Sequence, residues 1–588
     1  YGSQQGDVIG GLCFAFTSLE FAEQLREKFP DVMVSWIMDD LTVSGSQREL
    51  LGVADFILER GPSCGLFLAD FESEKNDILC RVRPAAPEFA LRGFGQCDDG
   101  FRRPLLGAPF GTPAFIREEV VGLLRRKMAD ITQLHRIQDA QLESLLLKHC
   151  FCSRPMHLLQ LLHPNDMADA LLEYEAVVRV EISRILGFFS HASGFPDHAW
   201  GQVRQPIRSV GFGLHNLPLV APAAYVAAHG SVARLAGKLL SVFPALQFVL
   251  LAQTRCARLA HLVGRLAAAV NTDTHSPLCP SVAAVASMPS QKRLSNVLYK
   301  KEEARLIAAA ASPEHRAWLL SCARFGSGMW LAAIPSQRVF KLCSLNYVNM
   351  ARQRLFLPLL RCGAIKSCLK CPANRAVSLP LLRSGIHSHT ICEHSVGIIA
   401  HNRLRDVVFA MYKYLHQPVQ KEVNGLFCVG AGRPADILVQ PVTHNTDQRL
   451  ALDFGISCPC SAANLQAGSE RKAGISADRY ETTKRSKHAN LAAAVSVPFE
   501  YRPIILESSG GFGTAAERWW KNMQALDASV NCPAGGESPV LAPDMFTWSA
   551  QRFTSYWLQR ISLVLALTYV THADPMLTQC DGFGADPG

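Results

Sequence analysis

Apolar positions along the chain fall into two patterns. From Met167 through Leu171, Tyr174, Val178, Ile182 and Ile185 they step by four and three, the spacing of one face of an α-helix. Asp166 stands where a residue capping that helix would stand. Leu12, Phe16 and Leu19 predict an earlier helix with one shared face. Leu50, Val53 and Ile57 follow Ser46-x-x-Glu49, the capping-box signature of a helix start, and Gly61 is the expected stop. Leu404, Val407, Val408, Met411 and Leu415 predict a helix opened by His401-Asn402-Arg403. Between these lie short apolar runs rich in β-prone residues. Val32-Met33-Val34-Ser35-Trp36-Ile37 and Leu41-Thr42-Val43 flank Met38-Asp39-Asp40, which predicts a hairpin carrying Asp39 and Asp40 at its tip. Ile437-Leu438-Val439, residues 450–456 and Ile504-Ile505-Leu506 read as buried strands. The mixture predicts an α/β multidomain chain.

Composition adds limits. A chain of 588 residues corresponds to roughly four units of about 150 residues each. Its 48% hydrophobic content supports large cores and excludes a disordered chain. Fifty-nine basic against 50 acidic residues leave a net charge of +9, a mild lean toward polyanions that many proteins share. The 19 cysteines are scattered, and no secretory signal accompanies them, so buried free thiols are expected rather than a disulfide framework. No window reaches the ~20 uncharged apolar residues of a membrane span. The apolar stretch 245–270 carries Arg255, Arg258 and Arg265, and 561–570 is too short. The pattern divides the chain into an α/β block (1–115), a helical region (116–274), a Pro/Ser-rich linker (275–291) and a helical connector (292–360). A Cys/His-rich segment (361–400), a second α/β block (401–530) and a C-terminal extension (531–588) follow.

Three constellations carry chemistry. Asp39 and Asp40 repel each other and call for a compensating cation. They suit either a solvated turn or a pair of Mg²⁺ ions about 4 Å apart. Cys368-x₂-Cys371 puts two thiolates on one turn, as tetrahedral Zn²⁺ requires. His387-x₄-Cys392 completes a Cys₂-His-Cys set, with His389 and His394 also in the segment. Unrelated cysteines in a cysteine-rich chain are the plain alternative. In the second α/β block Asp436 leads one strand and Asp453 lies within the next. Two acids on adjacent strands can hold one divalent metal, while a lysine stabilises phosphorane charge. Lys484 and Lys487 are the lysines at hand, three residues apart on one helix. Arg125, Arg126 and Lys127 form either a solvated helix face or phosphate contacts. The segment 326–331, Gly-Ser-Gly-Met-Trp-Leu, suggests no chemistry.

In this order the pieces resemble a known family. The loop Gln4-Gln5-Gly6-Asp7, the Met38-Asp39-Asp40 hairpin, Gly65-Leu66-Phe67-Leu68 with Ser73-Glu74, and Leu106-Gly107-Ala108-Pro109-Phe110-Gly111 resemble the palm of a reverse transcriptase. With the Cys/His segment and the Asp436…Asp453…Lys order, the chain is similar to non-LTR retrotransposon reverse transcriptases that carry a zinc knuckle and a restriction-like PD-(D/E)xK endonuclease. The resemblance runs to about residue 520 and implies a partial palm, a helical thumb, the knuckle and the nuclease. It implies Asp39 and Asp40 as polymerase carboxylates, and Gln5 and Gly6 at the substrate. Asp436, Asp453 and Lys487 would serve the nuclease, with Lys484 on a backbone phosphate. Cys368, Cys371, His387 and Cys392 would bind zinc, and the knuckle's usual spacing leaves His387 and His389 both open as the third ligand. Mg²⁺ and Zn²⁺ are the implied cofactors. An RNA template, a DNA target and deoxynucleoside triphosphates are the implied partners, and the nucleus is the implied location. The chain opens at the Gln4–Asp7 loop, so an N-terminally truncated copy is expected, without the family's upstream catalytic aspartate. Glu72 stands where the family carries a lysine. Both departures favour, as an alternative, a decayed copy that binds nucleic acid without polymerising; a domesticated structural or interaction protein is a third reading, against which the retained Asp436, Asp453 and Lys487 argue.

Overall fold

The computed structural model describes residues 10–37, 40–67, 77–78, 87–96, 103–105, 107–188, 194–240, 246–271, 278–360, 368, 371, 378–390, 396–423, 435–440, 449–493, 499–531 and 549–573. The fold is mixed α/β and mostly helical, with small sheets. No helix among the described residues is long and apolar enough to cross a membrane. Two compact units emerge. The first comprises Tyr1–Arg126, Pro155–Glu173 and Pro218–Ser295, and the second Lys127–Arg154, Tyr174–Leu217 and Asn296–Gly588.

The first unit begins with α1 (Gly10–Lys28), the hairpin β1 (Met33–Ile37) and β2 (Asp40–Ser44), and α2 (Gln47–Arg60). Phe21, Leu25, Val32, Val53, Phe56 and Ile57 form its core, with Val34, Leu41 and Val43 of the hairpin packed against it. The face expected of α1 differs from the one observed. Phe16 and Leu19 are exposed, and Phe21 and Leu25 are buried instead, because α2 and the hairpin pack on that stripe. The capping box of α2 is present, with Ser46 N donating to Glu49 at 2.9 Å. Gly61 caps the C-terminus of α2 as expected, and a separate 3₁₀ turn, Gly61–Cys64, follows, closed by Gly65 in the left-handed conformation at φ 74°. The register pairs Ile37 with Asp40. Asp40 is therefore the first residue of β2 rather than part of the hairpin tip, and Asp39 lies outside the described residues. Short pairs follow: β3 (Asp77–Ile78) with β4 (Gly95–Gln96), and β5 (Arg103–Leu105) with β6 (Ala108–Phe110).

Helices dominate the middle of the chain. They are α3 (Pro113–Ile131), α4 (Ala140–Leu146), α5 (Met156–Leu161), α6 (Pro164–Ile185), α7 (Asp197–Val203), α8 (Leu217–Leu239), α9 (Leu246–Arg255) and α10 (Ala257–Val270). All six residues of the predicted stripe on α6 are buried. Asp166 is not a cap. It lies inside α6, and its carboxylate accepts from Arg117 at 3.1 Å and Arg258 at 2.7 Å. Arg125 pairs with Glu173 at 3.1 Å, so it is a partnered surface cation. In 278–290, Val285 and Met288 are buried, which makes this part of the Pro/Ser-rich stretch a packed segment.

α11 (Gln291–Ala308) begins in the first unit's range and ends in the second's; in the second unit α12 (Pro313–Cys322), α13 (Ser344–Arg354) and α14 (Leu379–Arg383) precede α15 (Gly397–Tyr414). A four-stranded sheet follows, from β7 (Val419–Lys421), β8 (Ile437–Val439), β9 (Arg449–Ser457) and β10 (Phe499–Glu507), in the order β10-β9-β8-β7. β7, β8 and β9 are antiparallel neighbours, and β10 lies parallel to β9. A parallel neighbour needs a long crossover. It is provided by α16 (Ala462–Gln466) and α17 (Ile475–Ala493). Gly455 lets α17 approach closely, since a Cβ there would lie 2.7 Å from the Tyr480 ring and 2.6 Å from Ile505. Phe454 points to the opposite face and meets Trp519 of α18 (Thr514–Asn531). The last helix is α19 (Phe553–Ala573).

The Gly-Ser-Gly segment at 326–328 has a packing role. Gly326 sits at φ 85°, where a Cβ would lie 2.5 Å from the Phe512 ring, and Ser327 Oγ donates to Ser509 O at 2.9 Å. Gly328, at φ 72°, leaves room for the Arg354 guanidinium, which a Cβ would approach to 2.4 Å.

Candidate metal centre

The ladder between β8 and β9 pairs Ile437 with Leu452, Leu438 with Ala451 and Val439 with Leu450. One step beyond it, in the same register, stand Asp436 and Asp453. Residues opposed in an antiparallel pair bring their Cβ atoms to about 4.5–5.5 Å, and like charges there destabilise. The fold answers with hydrogen-bond donors and cations. Lys484 Nζ donates to Asp453 Oδ1 and to Phe454 O, each at 2.5 Å. The Tyr501 hydroxyl donates to Asp453 Oδ2. Asp436 Oδ2 accepts from Phe454 N at 2.7 Å and bonds His401 Nε2 at 2.9 Å. Donor atoms of His401, Asp436 and Asp453 all lie within 4.8 Å of one another.

Burial disfavours the Asp436 carboxylate, but the His401 bond, the imidazolium charge and Phe454 N–H outweigh it and hold its pKa below the usual range. The reciprocal bond raises His401 against burial. Burial and the neighbouring Asp453 charge push the Tyr501 phenol up, so it stays a proton donor to that carboxylate. All of these groups are partly buried, which strengthens each electrostatic contact relative to the surface.

Of the residues singled out in this block, Asp436, Asp453 and Lys484 come together. Lys487 does not join them. It is exposed and makes no hydrogen bond or ion pair among the described residues, so Lys484, not Lys487, is the lysine beside the acids. The reason is the stripe that α17 turns toward the sheet. Tyr480 lies over Gly455, Lys484 reaches Asp453, and the His488 ring lies 4.9 Å from the Tyr501 ring. These positions recur every four residues, and Lys487 falls off that line. His401 and Tyr501 were not anticipated. For His401 a signal existed: it precedes Leu404 by three and Val408 by seven, so it is a polar residue on the buried face of α15, a helix that starts at Gly397 rather than at His401. Glu507 lies elsewhere, fully buried, with Ser476 Oγ donating to it at 2.6 Å.

A second cluster joins Cys368, Cys371 and His387, whose ligand atoms lie within 4.8 Å of one another, with Cys371 Sγ 3.3 Å from His387 Nε2. Gly385 at φ 74° starts the turn Ile386–His389 that presents His387. His389 is directed away. Its ring stacks on Tyr569 at 3.6 Å, bonds Gln353 Nε2 at 3.2 Å, and is pushed down to about pKa 3 by burial. Cys392 and His394 lie outside the described residues, as do Gln5, Gly6, Asp39 and Glu72. No protein-family model and no curated protein matches the chain.

Proposed function

We propose that the second unit is a divalent-metal-dependent DNA endonuclease, in a chain that resembles part of a non-LTR retrotransposon reverse transcriptase. The observation that carries the reading is the meeting of His401, Asp436 and Asp453 with Lys484 above them. The donor set fits a hard or borderline divalent cation: two carboxylates and one imidazole, already close enough to converge on one ion. Such an ion, Mg²⁺ by resemblance, would be held by these three residues and would supply Lewis acidity when bound. The protein's own groups do the rest. Phe454 N–H and Tyr501 fix one oxygen of each carboxylate, leaving Asp436 Oδ1 without a partner among the described residues. Lys484, held by Phe454 O, keeps an ammonium beside the acids, where it stabilises charge developing on a phosphorane. Full-length chain with supercoiled DNA and Mg²⁺ is expected to produce nicked circles. Asp453→Ala abolishes them while DNA binding survives, since backbone phosphate contacts supply most affinity. Equal nicking by Asp453→Ala sinks the reading.

The Cys368–Cys371–His387 cluster supports a structural Zn²⁺. Zn–S bonds of ~2.3 Å and Zn–N bonds of ~2.0 Å require ligand atoms nearly this close, and Cys392 is the fourth ligand that resemblance implies. Metal analysis of the purified protein is expected to find one equivalent of zinc, lost on Cys371→Ser. A zinc-free wild-type protein rules the site out.

The β1–β2 hairpin with its capped α2 supports the polymerase half of the resemblance, with Asp39 and Asp40 as its carboxylates and RNA as template.

A further inference from the structure

The outer edge of the four-stranded sheet, at the N-terminal half of β10, holds a basic groove separate from the acid cluster. Its cavity measures about 320 Å³, and Arg485 of α17, Arg502 of β10, and Arg518 and Lys521 of α18 supply its cations. β10 is the terminal strand of the sheet, so the groove runs along an edge with α17 and α18 beside it. The cations are not equivalent. Arg502 is engaged by Glu500 at 2.5 Å, and Arg485 by Glu481 at 2.8 Å. Arg518 and Lys521, three residues apart on one exposed face of α18, make no hydrogen bond or ion pair among the described residues. Two unneutralised cations converging with two arginines call for an anion with several oxygens.

The groove also adjoins the acid cluster through the chain itself. Arg485 follows Lys484, and Arg502 follows Tyr501. Successive residues on a strand point to opposite faces, and successive helical residues diverge by about 100°. α17 and β10 therefore each give one residue to the acid cluster and the next to the groove.

We infer that this groove binds the phosphate backbone of the DNA strand beside the bond to be cut, with Arg518 and Lys521 as the principal contacts. The inference rests on the nuclease reading for the identity of the polyanion; the charge and geometry of the groove stand apart from it. Arginine provides a planar fork and lysine a point charge, a pairing suited to two successive phosphates. A strand leaving the acid cluster crosses the N-terminal half of β10, beside Arg502, and lies against α18.

The test is equilibrium binding of a short fluorescein-labelled DNA duplex to the full chain, in EDTA, across a salt series. Arg518→Ala with Lys521→Ala is expected to weaken binding on the order of tenfold or more at low salt. It should also reduce the slope of log K against log salt by about 1.8, the loss of two phosphate contacts. Arg338→Ala with Lys341→Ala removes the same charge from exposed positions on another element and is expected to leave both quantities unchanged. All four positions are exposed, and a thermal melt of each variant confirms the fold. Unchanged DNA binding by the groove variant overturns the inference. So does an equal loss in the control pair, or an RNA duplex that depends on the groove when DNA does not. The two readings fail separately. Nicking that requires Asp453 but ignores Arg518 and Lys521 removes the groove alone. Binding that requires the groove, in a chain that never nicks, removes the nuclease alone.

Discussion

Lys484→Ala is expected to lower DNA nicking by on the order of 10²-fold or more, the scale of removing one preorganised charge stabiliser. Lys487→Ala is expected to leave it nearly unchanged. The contrast follows from α17, which aims Lys484 at Asp453 Oδ1 and leaves Lys487 exposed. A second readout separates chemistry from structure. Lys484 occupies a carboxylate oxygen that a metal ion would also seek, so its removal should tighten Mg²⁺ binding even as turnover falls. A purely structural lysine would weaken both together. Loss of nicking with Lys487→Ala and retention with Lys484→Ala would reverse the assignment.

Arg354→Leu is expected to destabilise the second unit by roughly 1–3 kcal/mol or more, the cost of leaving buried neutral acceptors without their donor. The guanidinium is fully enclosed and donates to Gly211 O at 2.9 Å, Ser327 Oγ at 3.0 Å and Ile207 O at 3.2 Å. No carboxylate is bonded to it among the described residues, and burial alone pushes its pKa down. Its worth lies in tying the 207–211 turn and Ser327 to the end of α13. Arg354→Lys is expected to recover little, because an ammonium cannot reproduce the planar fork. Urea denaturation followed by tryptophan fluorescence checks both variants, and a midpoint within error of wild type for Arg354→Leu defeats the argument.

Local periodicity was enough to read the stripe on α6 and the capping box of α2, because each is settled within a few turns of helix. The strands around Asp436 and Asp453 were equally legible, since buried strands announce themselves as continuous apolar runs. What periodicity could not decide was which neighbour an element would choose. Phe16 and Leu19 make as good a stripe as Phe21 and Leu25, and only packing against α2 and the hairpin selects the latter. The same holds on α17, a polar helix where spacing alone does not distinguish Lys484 from Lys487. Gly455 decides, by seating Tyr480 and therefore the residue one turn on. His401 comes from a separate helix 35 residues before Asp436, and Tyr501 from a strand 48 residues after Asp453. Their arrival at one point is a property of sheet order, which no local pattern encodes.

That sheet order also sets a schedule during synthesis. β8 and β9 are antiparallel neighbours, so both carboxylates can meet as soon as β9 has left the ribosome. Lys484 follows Asp453 by 31 residues and Tyr501 by 48. The parallel partner β10 is thus the last strand to be made, and such long-range pairings form slowly. A nascent chain stalled before α17 presents two opposed carboxylates with no lysine beside them. On the proposed nuclease reading, translation products broken off there would lack Lys484 and Tyr501, and the full cluster would assemble only with the closing strand.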